Sequence, residues 1–333
     1  MQINLNQTDI SVIVPVYNEA ENIETLLKRI TSVISTLTDS FEIIIVDDGS
    51  KDATFLKIQE LSIIYPNCKA LSFSRNFGHQ VALSAGLEHA YGKIVITMDG
   101  DLQHPPELIP QMIKKQSEGF DIVNTIRKET ADAGPIKNLT AHLFYKLINA
   151  LSDVHVVKGA ADFRLMSRKA VNAFLQIRER DRFTRGLVSW MGFNQAFIPY
   201  EASKRNSGVT KYTFRKMLRF AIDGITSFSS RPLRISLYMG FTTAFLALLY
   251  TLYAIYAWYI GDTVQGWTSL LIIVLFIGGI QLISIGIIGE YLARVYNESK
   301  GRPLYLLKNS MGNIRRYHTE IESEESTKDD FNV

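Results

Sequence analysis

The chain has 333 residues, 47% of them hydrophobic, and a formal net charge of +3. Its one cysteine, Cys68, excludes an intrachain disulfide and a cysteine-built metal cluster, and points to a reducing compartment for the folded part. The opening stretch MQINLNQTDI has no basic region followed by an apolar core, so no cleavable signal peptide is expected.

In chain order, ISVIVPVYN, FEIIIVDDGS, CKALSFS, KIVITMDGD and DIVNTIR read as short, β-branched, apolar strands. Longer amphipathic segments start near Glu19, Asp52, Gly78 and Pro106, with Asp52 as an N-cap and Pro105-Pro106 in a first helical turn. Continuous apolar strands alternating with helices predict an α/β fold whose mainly parallel sheet is covered on both faces. In such sheets ligands bind beyond the carboxyl ends of the strands. Asp47-Asp48 and the Asp99, Asp101 pair both fall at those ends and should face one crevice.

From about residue 137 to 230 the pattern changes to basic helices and one more strand, QAFIPYEA. Two apolar segments follow, at 235–260 and 267–289. Each exceeds the roughly 20 residues that cross a bilayer as a helix; a pair of buried core helices is the plainer alternative. Trp258, Tyr259 and Trp267 flank the connector GDTVQG, which has no Lys or Arg, whereas Arg231, Arg234, Arg294 and Lys300 stand outside the segments. The positive-inside rule then puts both ends on the cytoplasmic side of a bacterial inner membrane. From Lys204 to Arg234 there are eight Lys or Arg residues and one acid, Asp223, interleaved with apolar residues as in a helix lying on a membrane surface. The expected division is a globular domain at 1–212, a membrane-surface region at 213–232, a two-helix membrane part at 233–293 and a tail at 294–333 whose acidic end is disordered. There is no internal repeat, and with the basic residues gathered beside apolar helices no nucleic-acid partner is expected.

The stretch VITMDGDLQHPP carries the chemistry. Two like charges one glycine apart, after a buried strand, repel each other and lose hydration, which calls for a cation between them. Hard oxygen ligands suit Mg²⁺ or Mn²⁺, which prefer one or two carboxylates plus substrate phosphates. Gln103 could add an amide oxygen; capping of the helix at Pro106 is the structural alternative.

VIVPVYNEAENI, IIIVDDGSKD and MDGDLQHPPELI resemble the family-2 glycosyltransferases of GT-A fold. ADFRLMSRKAV, ERDRFTRGLVSWMGF, RNSGVTKY and DGITSFSSRPLR, followed by two apolar segments, are similar to bacterial polyprenyl-phosphate glycosyltransferases, and to bactoprenol glucosyltransferases within them. The likeness runs from about residue 9 to 310. It implies an inverting transfer of a hexose, glucose from UDP-glucose, to a polyprenyl phosphate, with Mg²⁺ or Mn²⁺ as cofactor and a homo-oligomeric assembly. Pro15, Tyr17 and Glu19 would line the nucleoside site, with Asp48 and Asp47 on base or ribose. Asp99, Asp101 and Gln103 would hold the metal against the donor diphosphate, and Arg127 would reach sugar or phosphates. Arg205 and Lys211 would clamp a phosphate, unless they form only a basic loop beside an anionic membrane. Asp162 would be the catalytic base or position the acceptor, its alternative being a salt bridge to Arg164. His104, Ala161, Ser207 and Thr210 depart from the family pattern, and the stretch after Arg127 lacks an expected second arginine. A processive polysaccharide synthase is disfavoured because QxxRW is missing. A silent membrane scaffold is disfavoured because the acidic residues are present, and a dinucleotide oxidoreductase because no GxGxxG follows the first strand.

Overall fold

The computed structural model describes residues 8–128, 157, 159–180, 182–201, 226–227, 229–261 and 266–312. Arg205, Lys211, most of the expected membrane-surface region, most of the connector and the acidic end lie outside the described residues.

The first four apolar runs form β1 (Ile10–Val16), β2 (Phe41–Asp47), β3 (Cys68–Phe73) and β4 (Ile94–Thr97), separated by α1 (Ile23–Ile34), α2 (Thr54–Ile64) and α3 (His79–His89). A 3-10 turn at Pro106–Leu108 leads into α4 (Ile109–Ser117) and then β5 (Ile122–Arg127). Further along come β6 (Ala160–Ser167), α5 (Arg168–Gln176), α6 (Thr184–Trp190) and β7 (Gln195–Tyr200). Two long helices, α7 (Arg231–Tyr259) and α8 (Trp267–Ser299), precede β8 (Leu307–Met311).

All eight strands join one sheet in the order β7-β5-β6-β4-β1-β2-β3-β8. The pairs β1-β2, β1-β4, β2-β3 and β5-β7 are parallel; β4-β6, β5-β6 and β3-β8 are antiparallel. The period of two along each strand splits the core between the two faces. Val12, Val14, Ile43 and Ile45 pack with α1, whose Ile23, Leu26, Leu27, Ile30 and Ile34 are all fully buried. Ile13, Ile44 and Val46 point the other way, onto Ala82 and Leu83 of α3 and Phe174 of α5. Each large side chain buried this way contributes about 1.5–3 kcal/mol.

Four expectations are corrected. ADFRLMS, read as part of a helical region, is strand β6, because its mostly buried residues fill the space between β4 and β5 on both faces of the sheet. Asp52 is not the N-cap of α2; that position is Ala53, and Asp52 instead accepts from the Thr54 amide and hydroxyl at 3.0 and 2.5 Å. The second apolar helix runs ten residues past Gly289, because polar anchors hold it after its apolarity ends: Tyr291 donates to the Ser229 carbonyl and Arg294 to the Ser227 hydroxyl. The stretch expected as a tail returns to the sheet as β8, where backbone pairing along β3 outweighs its weak apolarity.

Both α7 and α8 are long and apolar enough to cross a membrane, over 231–257 and 272–299, and the apolar windows are unburied within the protein. That last fact removes the buried-core alternative for them.

Candidate active site

β1, β2 and β4 are parallel, so their carboxyl ends share one edge: Val16 stands beside Asp47, and Ile13 beside Thr97. β6 runs the opposite way with Arg164 opposite Thr97, which brings Asp162 to the same edge from the other direction. The Thr97 hydroxyl donates to the Asp162 carbonyl at 2.6 Å and pins that register. At this edge lies a cavity of about 310 Å³ lined by Pro15, Tyr17, Glu19, Asp48, His79, Asp99, Asp101 and Asp162, among others.

Its walls are loops tied to one another. The Glu19 amide donates to the Thr54 hydroxyl, and the Asn18 amide to the Ser50 hydroxyl, both at 2.9 Å. Asp48 accepts from the Phe77 and Gly78 amides at 2.7 and 3.0 Å, joining the end of β2 to the start of α3. Burial pushes the Asp48 carboxyl pKa up, against the pull of those two amides. The turn that follows β2 needs Gly49, whose φ is +67° and whose added Cβ would strike the Arg75 backbone.

Asp47, expected beside Asp48 on base or ribose, is not among the residues that line the cavity. Successive residues along β2 face opposite ways, so Asp47 turns from the cavity and accepts from the Ser50 amide at 2.9 Å and the Ser72 hydroxyl at 2.7 Å. Gln103 and Arg127 also stand apart from the cavity lining, where the guanidinium donates to the Gln103 side-chain Oε1 at 3.3 Å. The amide oxygen expected beside the carboxylate pair is engaged there.

Asp99 is held by His104, whose Nδ1 accepts the Asp99 amide at 2.9 Å while Nε2 stands 3.6 Å from Oδ2. His104 is itself buried, stacked on Phe163 at 5.3 Å between ring centroids. Asp99 Oδ1 is buried with no hydrogen-bond partner. Among the described residues no three His, Cys, Asp or Glu side chains converge to form a cage. Two hard carboxylates, one with an orphaned oxygen, fit a divalent ion that completes its shell with substrate phosphates and water.

Asp162 is buried between two guanidiniums, Arg164 at 2.9 Å and Arg185 at 3.0 Å. Burial alone would raise its pKa, yet the charges of Arg185 and then Arg164 outweigh it and hold the carboxyl well below the usual carboxylate range.

Residues 11–175 match Glycosyl transferase family 2, and residues 231–295 match the GtrB C-terminal hairpin. The bactoprenol glucosyl transferase of Shigella phage SfV is 42% identical over 306 residues, covering 90% of this chain and 98% of that protein. The chain belongs to glycosyl transferase family 2. The uncharacterized glycosyltransferase sll0501 of Synechocystis sp. is 43% identical over 305 residues, 91% of this chain and 96% of that one. Among solved structures, glucosyl-3-phosphoglycerate synthase from Mycobacterium tuberculosis in complex with Mn²⁺, UDP and glucosyl-3-phosphoglycerate aligns with a TM-score of 0.44 and 23% identity, over 66% of this chain and 79% of that one.

In this family-2 glycosyltransferase one cavity residue, His79, and two residues that hold cavity carboxylates, Arg185 and His104, go beyond the residues that the sequence singles out. His79 lies in RNFGHQ directly after β3, and the rule that strand carboxyl ends carry ligands could have found it. Arg185 sits in a basic run 23 residues from Asp162, with nothing local to single it out. His104 stood out only as a departure from the family pattern, and its hold on Asp99 is a tertiary fact.

Proposed function

We propose that this glycosyltransferase moves a hexose, glucose from UDP-glucose, onto a polyprenyl phosphate at the cytoplasmic face of the membrane, inverting the anomeric centre. The observation that carries this is an acid-lined cavity with an orphaned Asp99 oxygen, on a chain whose C-terminal part matches a membrane hairpin. The names of its 42% identical relatives support glucose and bactoprenol.

Pro15, Tyr17, Glu19 and Asp48 bind the nucleoside. Asp99 and Asp101 hold Mg²⁺ or Mn²⁺, which when bound neutralises charge on the departing nucleoside diphosphate. The acceptor phosphate, with a second pKa of about 6, is already largely dianionic and needs little deprotonation. Asp162, held ionised by two arginines, is a poor proton acceptor at neutral pH and serves to fix Arg185 at the cavity edge. Gln103 and Arg127 act together at the rim, and Arg205 and Lys211 clamp phosphate. The chain divides into a globular part at 1–212, a membrane-surface region at 213–232 and a hairpin at 233–293, with both termini cytoplasmic. Open space around Gly278, Gly279, Gly286 and Gly289 of α8 supports close packing in a homo-oligomer.

The test is purified protein in detergent with Mn²⁺, polyprenyl phosphate and a panel of radiolabelled nucleotide sugars, beside Asp101→Ala. Label entering the organic phase from UDP-glucose and lost in the variant is the expected result. Transfer from a different donor overturns the sugar, and no lipid product from any donor overturns the reaction.

A further inference from the structure

The cavity presents an electrostatic problem. Its lining holds five carboxylates, Glu19, Asp48, Asp99, Asp101 and Asp162, yet the substrates of the proposed reaction are a diphosphate and a phosphate monoester. His79 is the one described lining side chain with an N–H to offer an anion. Its Nε2 stands 3.3 Å from Asp99 Oδ1 and 3.8 Å from Asp162 Oδ2, between the carboxylate proposed to hold the metal and the one that fixes Arg185. Neither contact is a hydrogen bond, and the ring makes none among the described residues. The side chain keeps 41% of its surface exposed, so it is not there as core packing. Gln80, the next residue, accepts the Thr184 amide at 3.1 Å, which ties the start of α3 to the helix bearing Arg185.

Resting on the function proposed above, we propose that His79 is a catalytic residue whose Nε2–H donates to a phosphate oxygen of the reacting substrates in the space between Asp99 and Asp162. That oxygen comes from the donor diphosphate or from the acceptor monoester. The shared chemistry is an N–H···O bond strengthened by the charge of the phosphate oxygen that accepts it.

Binding measurements on the full chain in detergent distinguish the two sources without requiring turnover. Calorimetry would follow UDP with Mn²⁺, and separately farnesyl phosphate added to protein saturated with UDP and Mn²⁺, for the wild type, His79→Ala and His79→Gln. A lost hydrogen bond to a charged group corresponds to about ten- to a hundredfold weaker binding. Such a loss for UDP in His79→Ala assigns the donor, and such a loss for farnesyl phosphate with UDP affinity kept assigns the acceptor. In either case His79→Gln, which restores an N–H, recovers a substantial part. Wild-type thermal unfolding in both variants keeps a folding defect from mimicking the effect. Both affinities within twofold of wild type in His79→Ala, or a glutamine variant no better than alanine, overturns the inference. So does a wild type that binds neither probe. A wild type that binds both but forms no lipid product sinks the function and leaves His79 judged by binding alone.

Discussion

At Asp162 two guanidiniums share one carboxylate, and the consequences are measurable. Arg164 is almost fully buried, whereas the Arg185 side chain is 31% exposed. Asp162→Asn strands a buried positive charge, and removing one partner of such a pair costs about 3–5 kcal/mol. Thermal unfolding in detergent should show a large drop in Tm for this variant and a smaller one for Arg185→Ala, whose charge is partly solvated. The pH dependence has a definite sign. Because the folded-state pKa of Asp162 lies below its unfolded value, its contribution is full above about pH 4 and is lost as pH falls below that. Wild type and Asp162→Asn should therefore converge in Tm on acidification; a gap that widens in acid contradicts the ion-pair account. Cys68 is a second residue-scale case, its thiol pushed up to about 12 by burial. It should resist iodoacetamide at pH 8 in the native protein and react readily in denaturant, with alkylation followed by mass spectrometry.

Among the elements, α3 is the one on which fold and site meet. It brings His79 to the cavity at its first residue, and further along packs Gly86 directly on the Ile13 side chain in the centre of the sheet. Helix propensity favours alanine over glycine by about 1 kcal/mol. Here an added Cβ collides with a fully buried, β-branched partner, and overpacking costs about 1–3 kcal/mol. Gly86→Ala should thus lower Tm despite its better propensity, as scanning calorimetry can check. The strands β1 to β5 were legible because each is a short run of β-branched apolar residues between turn signals. β6 was not, since its central Asp162 and Arg164 break the apolar run; they compensate each other through an ion pair that no local pattern reveals. β8 was hidden for a related reason: LKNSM is polar and exposed, and pairs with β3 through its backbone.

On the scale of the whole molecule, the chain leaves the catalytic sheet for α7 and α8 and then returns to it. Arg180 donates its amide to Glu298 at 2.7 Å, Tyr305 donates to Glu88 at 2.6 Å and stacks on Phe73, and β8 covers the edge of β3. Ending the chain after Ser299 would strip the Tyr305 and β8 contacts and bare the β3 edge, which invites strand pairing between molecules. The truncated protein should lose Tm and form soluble aggregates visible by size-exclusion chromatography; an unchanged profile would show the return segment to be dispensable. Because the apolar windows of α7 and α8 are unburied, the full chain should stay in the membrane pellet after an alkaline carbonate wash and enter solution only with detergent.

From sequence alone came the α/β sheet, the two apolar helices, the carboxylates at strand ends and, through several motifs in order, the family. Those features are local: they rest on periodicity, composition and spacing along the chain. Tertiary structure decided that Asp47 turns away while Asp48 faces the cavity, that Gln103 is engaged by Arg127, and that Asp162 is clasped by Arg164 and Arg185. It also brought His79 between Asp99 and Asp162, residues 20 and 83 positions away along the chain. Side-chain direction and ion pairing depend on strand register and on what packs opposite, and neither is written in the spacing of residues along the chain.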